Sequence, residues 1–268
     1  MVKGLKIQHK IYLGLMFLFL YAPIFVLVLY SFNTSEAMGR WTGFTLKWYR
    51  ELFRSDVIKN AFYYTIICAI ISTIVSTVFG TVAAIGIYYH KKRVQDYVLN
   101  VNYLPVINPD IVTAVSLMLL YISVGIQRGF TTMVLAHIMF STPYVILSVL
   151  PRLQAMDPHL IDAAQDLGAT QLQAVRKVII PEIMPGIIAG MLIAFTMSID
   201  DFVISYFNTS GGVTNLSIEI FNMAKRRIRP TVNALATLMV AVIVMFVFII
   251  NRIGSKKKME YRLKEDEK

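Results

Sequence analysis

From Ala61 to Tyr89 the chain carries no Asp, Glu, Lys or Arg. A helix needs about 20 residues to cross a hydrocarbon core ~30 Å thick, and runs beyond ~18 apolar residues signal such a crossing. Six blocks meet that test, roughly 11–32, 61–89, 97–125, 130–151, 183–207 and 231–253. They take up most of the 268 residues, so no separate soluble catalytic domain fits between them. Charged residues make up only 16% of the chain, against about 25% for a soluble domain. The short alternating segments of β-barrel strands are absent. A soluble enzyme, a disordered chain and a disulfide-rich secreted domain are excluded. The reading is an all-α integral membrane protein of six transmembrane helices, one domain over 1–268.

The charge is +10, with 26 Lys+Arg against 16 Asp+Glu. Most basic residues flank the apolar blocks, which points to topology and anionic headgroups and not to nucleic acid. An N-terminus in the cytoplasm places 16 basic residues inside, among them Lys3, Lys91, Lys92, Arg93, Arg152 and the tail from Lys256, and 10 outside. The expectation is therefore that both termini are cytoplasmic. The first apolar run, preceded by Lys3, Lys6 and Lys10, continues to Tyr30 with no A-x-A-like cleavage site. It exceeds a signal-peptide core and reads as a retained helix. The single cysteine, Cys68, rules out an internal disulfide.

Two segments depart from plain spans. Leu104-Pro105-Val106-Ile107-Asn108-Pro109-Asp110 sets two prolines and an acid inside an apolar block, so that helix should kink or break there. The loop of about 152–181 has structure of its own. Asp157-Pro158 suits a helix start, Gly168 a C′ position, and Thr170 with Gln173 a capping box. Leu172, Val175, Val178 and Ile179 then share one apolar face, which a docking element needs and a solvated loop does not.

This loop resembles the "EAA" loop of ABC importer permeases, whose pattern is Glu-Ala-Ala, three residues, Gly, nine residues, Ile-x-Leu-Pro. Here Asp162-Ala163-Ala164, Gly168 and Val178-Ile179-Ile180-Pro181 keep the spacing, with Asp for Glu, Val for Ile and Ile for Leu. Trp48-Tyr49, Pro109-Asp110-Ile111-Val112, Asp166-Leu167-Gly168-Ala169, Ser198-Ile199-Asp200-Asp201 and Asn233-Ala234-Leu235-Ala236-Thr237 extend the resemblance to the permeases of spermidine/putrescine importers. Permeases for ferric iron, phosphonates and opines share the scaffold. The resemblance implies a type I importer permease fold with cytoplasmic coupling helices, working in the plasma or inner membrane. It implies three kinds of partner: a second permease subunit, a cytoplasmic ABC ATPase dimer and an extracytoplasmic polyamine-binding protein. Asp162, Ala163, Ala164, Gly168 and Pro181 would then form the element that docks on the ATPase. No G-x-x-x-x-G-K-[ST] occurs, so ATP and Mg belong to the partner and the chain itself binds no cofactor.

Asp110, Asp200 and Asp201 lie within apolar blocks. An acid at mid-helix costs ~2.5–3.5 kcal/mol on insertion scales and usually faces the bundle interior or a wet path. Carboxylates suit a polycationic substrate, and Trp48, with Tyr49 and Trp41, offers aromatic faces to ammonium groups; interfacial anchoring is the alternative for each tryptophan. Gly186, Gly190 and Ala194 form a small-xxx-small stripe for close helix approach. If the helix stays regular, Asp201 falls within about 20° of Gly190 and Asp200 about 80° to the other side. The alternative is that one acid caps a helix break. His9, His90, His137 and His159 have no metal-ligand spacing, and His137 reads as a packed polar residue. An ion-coupled secondary transporter using the three acids is the competing class. It leaves the docking loop without a role and lacks inverted repeats.

Overall fold

The computed structural model describes residues 7–36, 39–226, 230–245 and 247–248. Among these, secondary structure is helical apart from one isolated β-bridge, Asn33 to Phe44. In chain order the helices are α1 (Ile7–Ser31), α2 (Lys47–Arg54), α3 (Asp56–Tyr89), α4 (Lys92–Ile107), α5 (Asp110–Ser123), α6 (Phe130–Gln154), α7 (Leu160–Asp166), α8 (Gln171–Ala174), α9 (Ile180–Asp200), α10 (Val203–Asn208), α11 (Leu216–Arg226) and α12 (Pro230–Met245). The basic tail from Ser255, and Lys3, Lys6, Arg227 and Arg229, lie outside the described residues.

Among the described residues, four helices are long and apolar enough to span a membrane: α1, α3, α6 and the continuous helix Gln171–Asp200. The pair α4–α5 adds a fifth if it is one span, bent by 103°. The six-span expectation is therefore met only in part. The sixth block appears as the shorter α12, and its end lies outside the described residues.

The α4–α5 bend falls where the prolines predict it. Asn108, ahead of Pro109, is extended (φ −70°, ψ 143°), the conformation that a following proline favours. The Asn108 N–H still closes on the Leu104 carbonyl at 3.1 Å, ending α4 cleanly.

The chain divides into two compact units. The first holds residues up to Lys59 together with Glu219–Val242. In it, α1 exposes apolar side chains along its length and buries only Ser31. After α1 the chain folds back through Thr45 N–H to Phe32 O (2.7 Å) and Thr34 N–H to Gly43 O (3.0 Å). The amide of Asn33 fastens this turn, donating to Arg40 O and accepting from Thr42 N–H.

The second unit comprises Asn60–Ile218 and Ile243–Lys268, and within it α6 is the most buried of the long helices. Val145, Val149, Leu150 and Leu153 of α6 pack with Ala84 and Ile87 of α3 and with Ile183 and Ala194 of α9. The small-residue stripe makes this packing close. A Cβ on Gly186 would meet Ser148 O at 2.9 Å, one on Gly190 Val145 Cα at 3.1 Å, and one on Gly80 of α3 Val145 Cβ at 2.7 Å. Lipid supplies no hydrophobic drive between spans, so such backbone approach provides the cohesion through van der Waals contact. A second cluster joins Ala114, Leu117 and Tyr121 of α5, Ala136 and Phe140 of α6, and Ile204 of α10.

Candidate functional site

The fifth apolar block, expected as one span over 183–207, ends at Asp200. Asp201 turns extended (φ −64°, ψ 126°), and α10 starts after it. The cause is local: the Asp201 carboxylate takes the backbone N–H groups of Ile204 (3.2 Å) and Ser205 (2.8 Å). A short acidic side chain competes with the helical ladder in this way and caps the next helix instead. The regular-helix projection thus fails beyond Asp200, and the alternative holds: Asp201 caps a break. Its side chain is 8% exposed, while Asp200 is exposed.

A break inside apolar surroundings frees backbone carbonyls that need donors. Ser217 donates to Asp200 O at 3.1 Å, and Asn215 donates to Asp201 O at 3.1 Å. The Asn215 amide also donates to Ser205 Oγ (2.7 Å) and accepts from Ile218 N–H (2.9 Å). At the far end of α10, Thr132 donates to Asn208 O (2.8 Å) and Arg128 to Phe207 O (3.2 Å).

His137 of α6, 1% exposed, stands between the two sides of the break. Its Nδ1 lies 3.0 Å from Ser198 Oγ on α9, and its Nε2 lies 2.9 Å from Ser205 Oγ on α10. Asp201 Oδ2 is 3.6 Å from Nε2. Ser198 Oγ in turn is 3.0 Å from Ser72 Oγ on α3, which donates to Cys68 O at 2.7 Å. With the proton on Nδ1, the hydrogens run in one direction, from the ring through Ser198 and Ser72 to Cys68 O, and Ser205 donates to Nε2. The hydroxyls of Ser72, Ser198 and Ser205 then each have an acceptor. No group of three or more metal-ligating side chains occurs among the described residues.

The other predicted site residues sit elsewhere. Asp110 is the exposed first residue of α5, directly after the Asn108-Pro109 break. Trp48 belongs to the first unit; its ring is 2% exposed, its indole N–H donates to Asn33 O at 2.7 Å, and Lys47 Nζ lies 4.8 Å from the ring centroid. Sequence reasoning passed over Ser72, Ser205, Asn215 and Ser217. Each is a single polar residue in apolar sequence, and only their convergence on one break sets them apart.

The 152–181 loop folds largely as its caps predict. α7 begins at Leu160, later than Asp157-Pro158 suggests, because Asp157 Oδ1 takes the His159 N–H (2.9 Å) and forms a turn first. Gly168 has φ +85°. Ala169 N–H bonds to Ala164 O (3.0 Å) and Gly168 N–H to Gln165 O (2.8 Å), the paired bonds of a Schellman ending. The Thr170–Gln173 capping box is present in both directions. The helix that the Thr170–Gln173 box opens does not end within the 152–181 loop but is continuous with the span, joined by a π-helical turn at Val175–Ile179. Pro181 has no N–H for the carbonyl four residues before it, and widening the turn absorbs that loss. Val175, Val178 and Ile179 face inward, whereas Leu167 and Leu172 are 91% and 78% exposed. Asp162 and Ala163 are exposed and Ala164 half-buried, on the same small element.

Comparison with known proteins gives these two features their context. The chain is 36% identical over 239 residues to the spermidine/putrescine transport system permease protein PotC of Escherichia coli (strain K12), covering 89% of this chain and 90% of that one. It is also 36% identical over 240 residues to the putrescine transport system permease protein PotI of the same organism, covering 87% and 85%. Its fold matches a chain in the crystal structure of a bacterial ABC transporter involved in the import of the acidic polysaccharide alginate. The TM-score is 0.71, with 17% identity and 93% and 94% of the two chains covered. Residues 76–259 match the family described as the binding-protein-dependent transport system inner membrane component. That match takes in the loop of about 152–181, the helix break and its polar supports from Ser198 to Ser217, and the chain belongs to this family of multi-pass ABC importer permeases.

Proposed function

We propose that the chain is the permease subunit of an ATP-driven importer of polyamines, spermidine or putrescine, into the cytoplasm. The observation that carries the substrate class is the division of labour at the α9–α10 break. Asp201 is consumed by capping, while Asp200 is left exposed at the end of a membrane helix. An exposed carboxylate at such a break suits passage of an ammonium group, and the 36% identity to polyamine permeases agrees with it. Asp110, at the other break, supplies a second carboxylate to the same pathway. Trp48, with its indole N–H occupied and its ring buried, acts there as a support for the fold-back after α1.

In this reading the whole chain is one permease domain with both termini in the cytoplasm. It pairs with a second permease subunit, receives substrate from an extracytoplasmic polyamine-binding protein, and is driven by an ATPase dimer that holds ATP and Mg. Leu167, Leu172, Ala163 and Ala164 dock on that ATPase, and Gly168 and Pro181 set the angle between the docking helix and the span. ATPase closure then moves α7 and α8 and, through the continuous helix Gln171–Asp200, the break itself.

Labelled spermidine offered to proteoliposomes holding the complete assembly tests this, with putrescine and ferric ion as competitors. ATP-dependent uptake inhibited by putrescine and not by iron is expected. ATP-dependent transport of iron or another solute in place of polyamine would overturn the substrate class, and transport driven by an ion gradient without ATP would overturn the mechanism.

A further inference from the structure

His137 is a residue that the transport reading leaves unused, and its surroundings are unusual for a packed histidine. Its two ring nitrogens do not meet one neighbour. Nδ1 meets Ser198, two residues before Asp200, and Nε2 meets Ser205, four residues after Asp201. The ring therefore spans the break, with one hand on each helix, from a position on α6 that is 1% exposed. Asp201 Oδ2 stands 3.6 Å from the same Nε2, so the cap and the bridge share one corner of the ring. Asn215 binds both Ser205 Oγ and Asp201 O, closing a loop of contacts around the turn that follows Asp200.

We propose that His137 is a positioning residue for transport: it fixes the angle between α9 and α10 and so sets where the Asp200 carboxylate is presented to a cationic substrate. The proposal rests on the reading of Asp200 as a substrate-facing acid. Imidazole is the side chain suited to the task because it offers two hydrogen-bonding atoms on opposite edges of one rigid ring. Asparagine reproduces the reach of Nδ1 and glutamine that of Nε2, each restoring one side of the bridge.

The test uses the assembled importer in two parallel measurements. In the first, spermidine uptake is followed for the parent and for His137→Ala, His137→Asn and His137→Gln. His137→Ala is expected to raise KM at least about tenfold while kcat stays within about threefold, and the two amides to recover part of the loss. In the second, a Cys68→Ala background carries Asp200→Cys, and its rate of reaction with a cationic thiol reagent is measured in detergent. Asp96→Cys, exposed on α4, is the control. His137→Ala should change the Asp200→Cys rate by about fivefold or more and leave the Asp96→Cys rate unchanged.

Equal changes at both cysteines mean general loosening of the fold and overturn the proposal, as does an unchanged rate at position 200. Where His137→Ala fails to assemble, Ser205→Ala removes one partner and leaves the ring in place. It should shift the labelling at position 200 in the same selective way, and failure to do so overturns the proposal. A selective labelling change in a complex whose parent imports no spermidine leaves the positioning role standing and discards the polyamine reading.

Discussion

Two glycines on α3 show how finely this packing is set. A Cβ at Gly80 would strike Val145 Cβ and Cγ1 at 2.7 Å, whereas one at Gly86 meets nothing within 4 Å. The same exchange to alanine should therefore have opposite signs. Gly80→Ala should destabilise by about 1–3 kcal/mol through overpacking. Gly86→Ala should stabilise by about 0.5–1 kcal/mol through helix propensity. Thermal unfolding midpoints in detergent check this pair. The acids divide in the same manner. Asp201→Ala removes the acceptor for two backbone N–H groups and should lower stability by about 0.5–2 kcal/mol. Asp200→Asn, at an exposed side chain, should leave the unfolding midpoint where it is; a drop equal to that of Asp201→Ala would make both acids structural. The presence of acids in the membrane was legible from the sequence because of their cost there. Which one caps was not, since Asp200 and Asp201 are chemically identical neighbours and only the backbone path separates them.

Among the helices, the features legible in sequence were those written in backbone chemistry. The Pro109 break, the Gly168 turn and the Thr170–Gln173 box all appear where proline, glycine and capping pairs put them. The misplaced boundaries share a different cause. Periodicity alone ran the fifth span through Asp201 and separated it from the loop helix, because neither a side-chain cap nor a π turn leaves a mark in hydropathy. Gly168 yields a direct prediction. With φ +85°, an L-residue there pays about 1–2 kcal/mol of backbone strain. Gly168→Leu should therefore tilt α7 against α8 while the spans remain inserted. In the assembled importer, ATP hydrolysis should continue and uptake per ATP fall severalfold; normal coupling would remove the docking role from this turn.

Across the molecule, one continuous helix, Gln171–Asp200, joins the exposed loop before it to the helix break and packs backbone-close on α6. Family membership was legible from the spaced Asp162–Pro181 pattern because motif spacing survives substitutions such as Asp for Glu. The polar network around His137 was not, because its members come from α3, α6, α9, α10 and the residues before α11, and nothing in linear sequence brings them together. In the proposed function this break presents Asp200 to a polyamine. The most direct measurement is the saturation curve of ATP-dependent spermidine uptake by the reconstituted importer, run side by side for the parent chain and Asp200→Asn. Assembly and ATP hydrolysis should be matched beforehand. Saturable uptake by the parent and a loss of about tenfold or more in kcat/KM for Asp200→Asn is the predicted result. Superimposable curves for the two would contradict it.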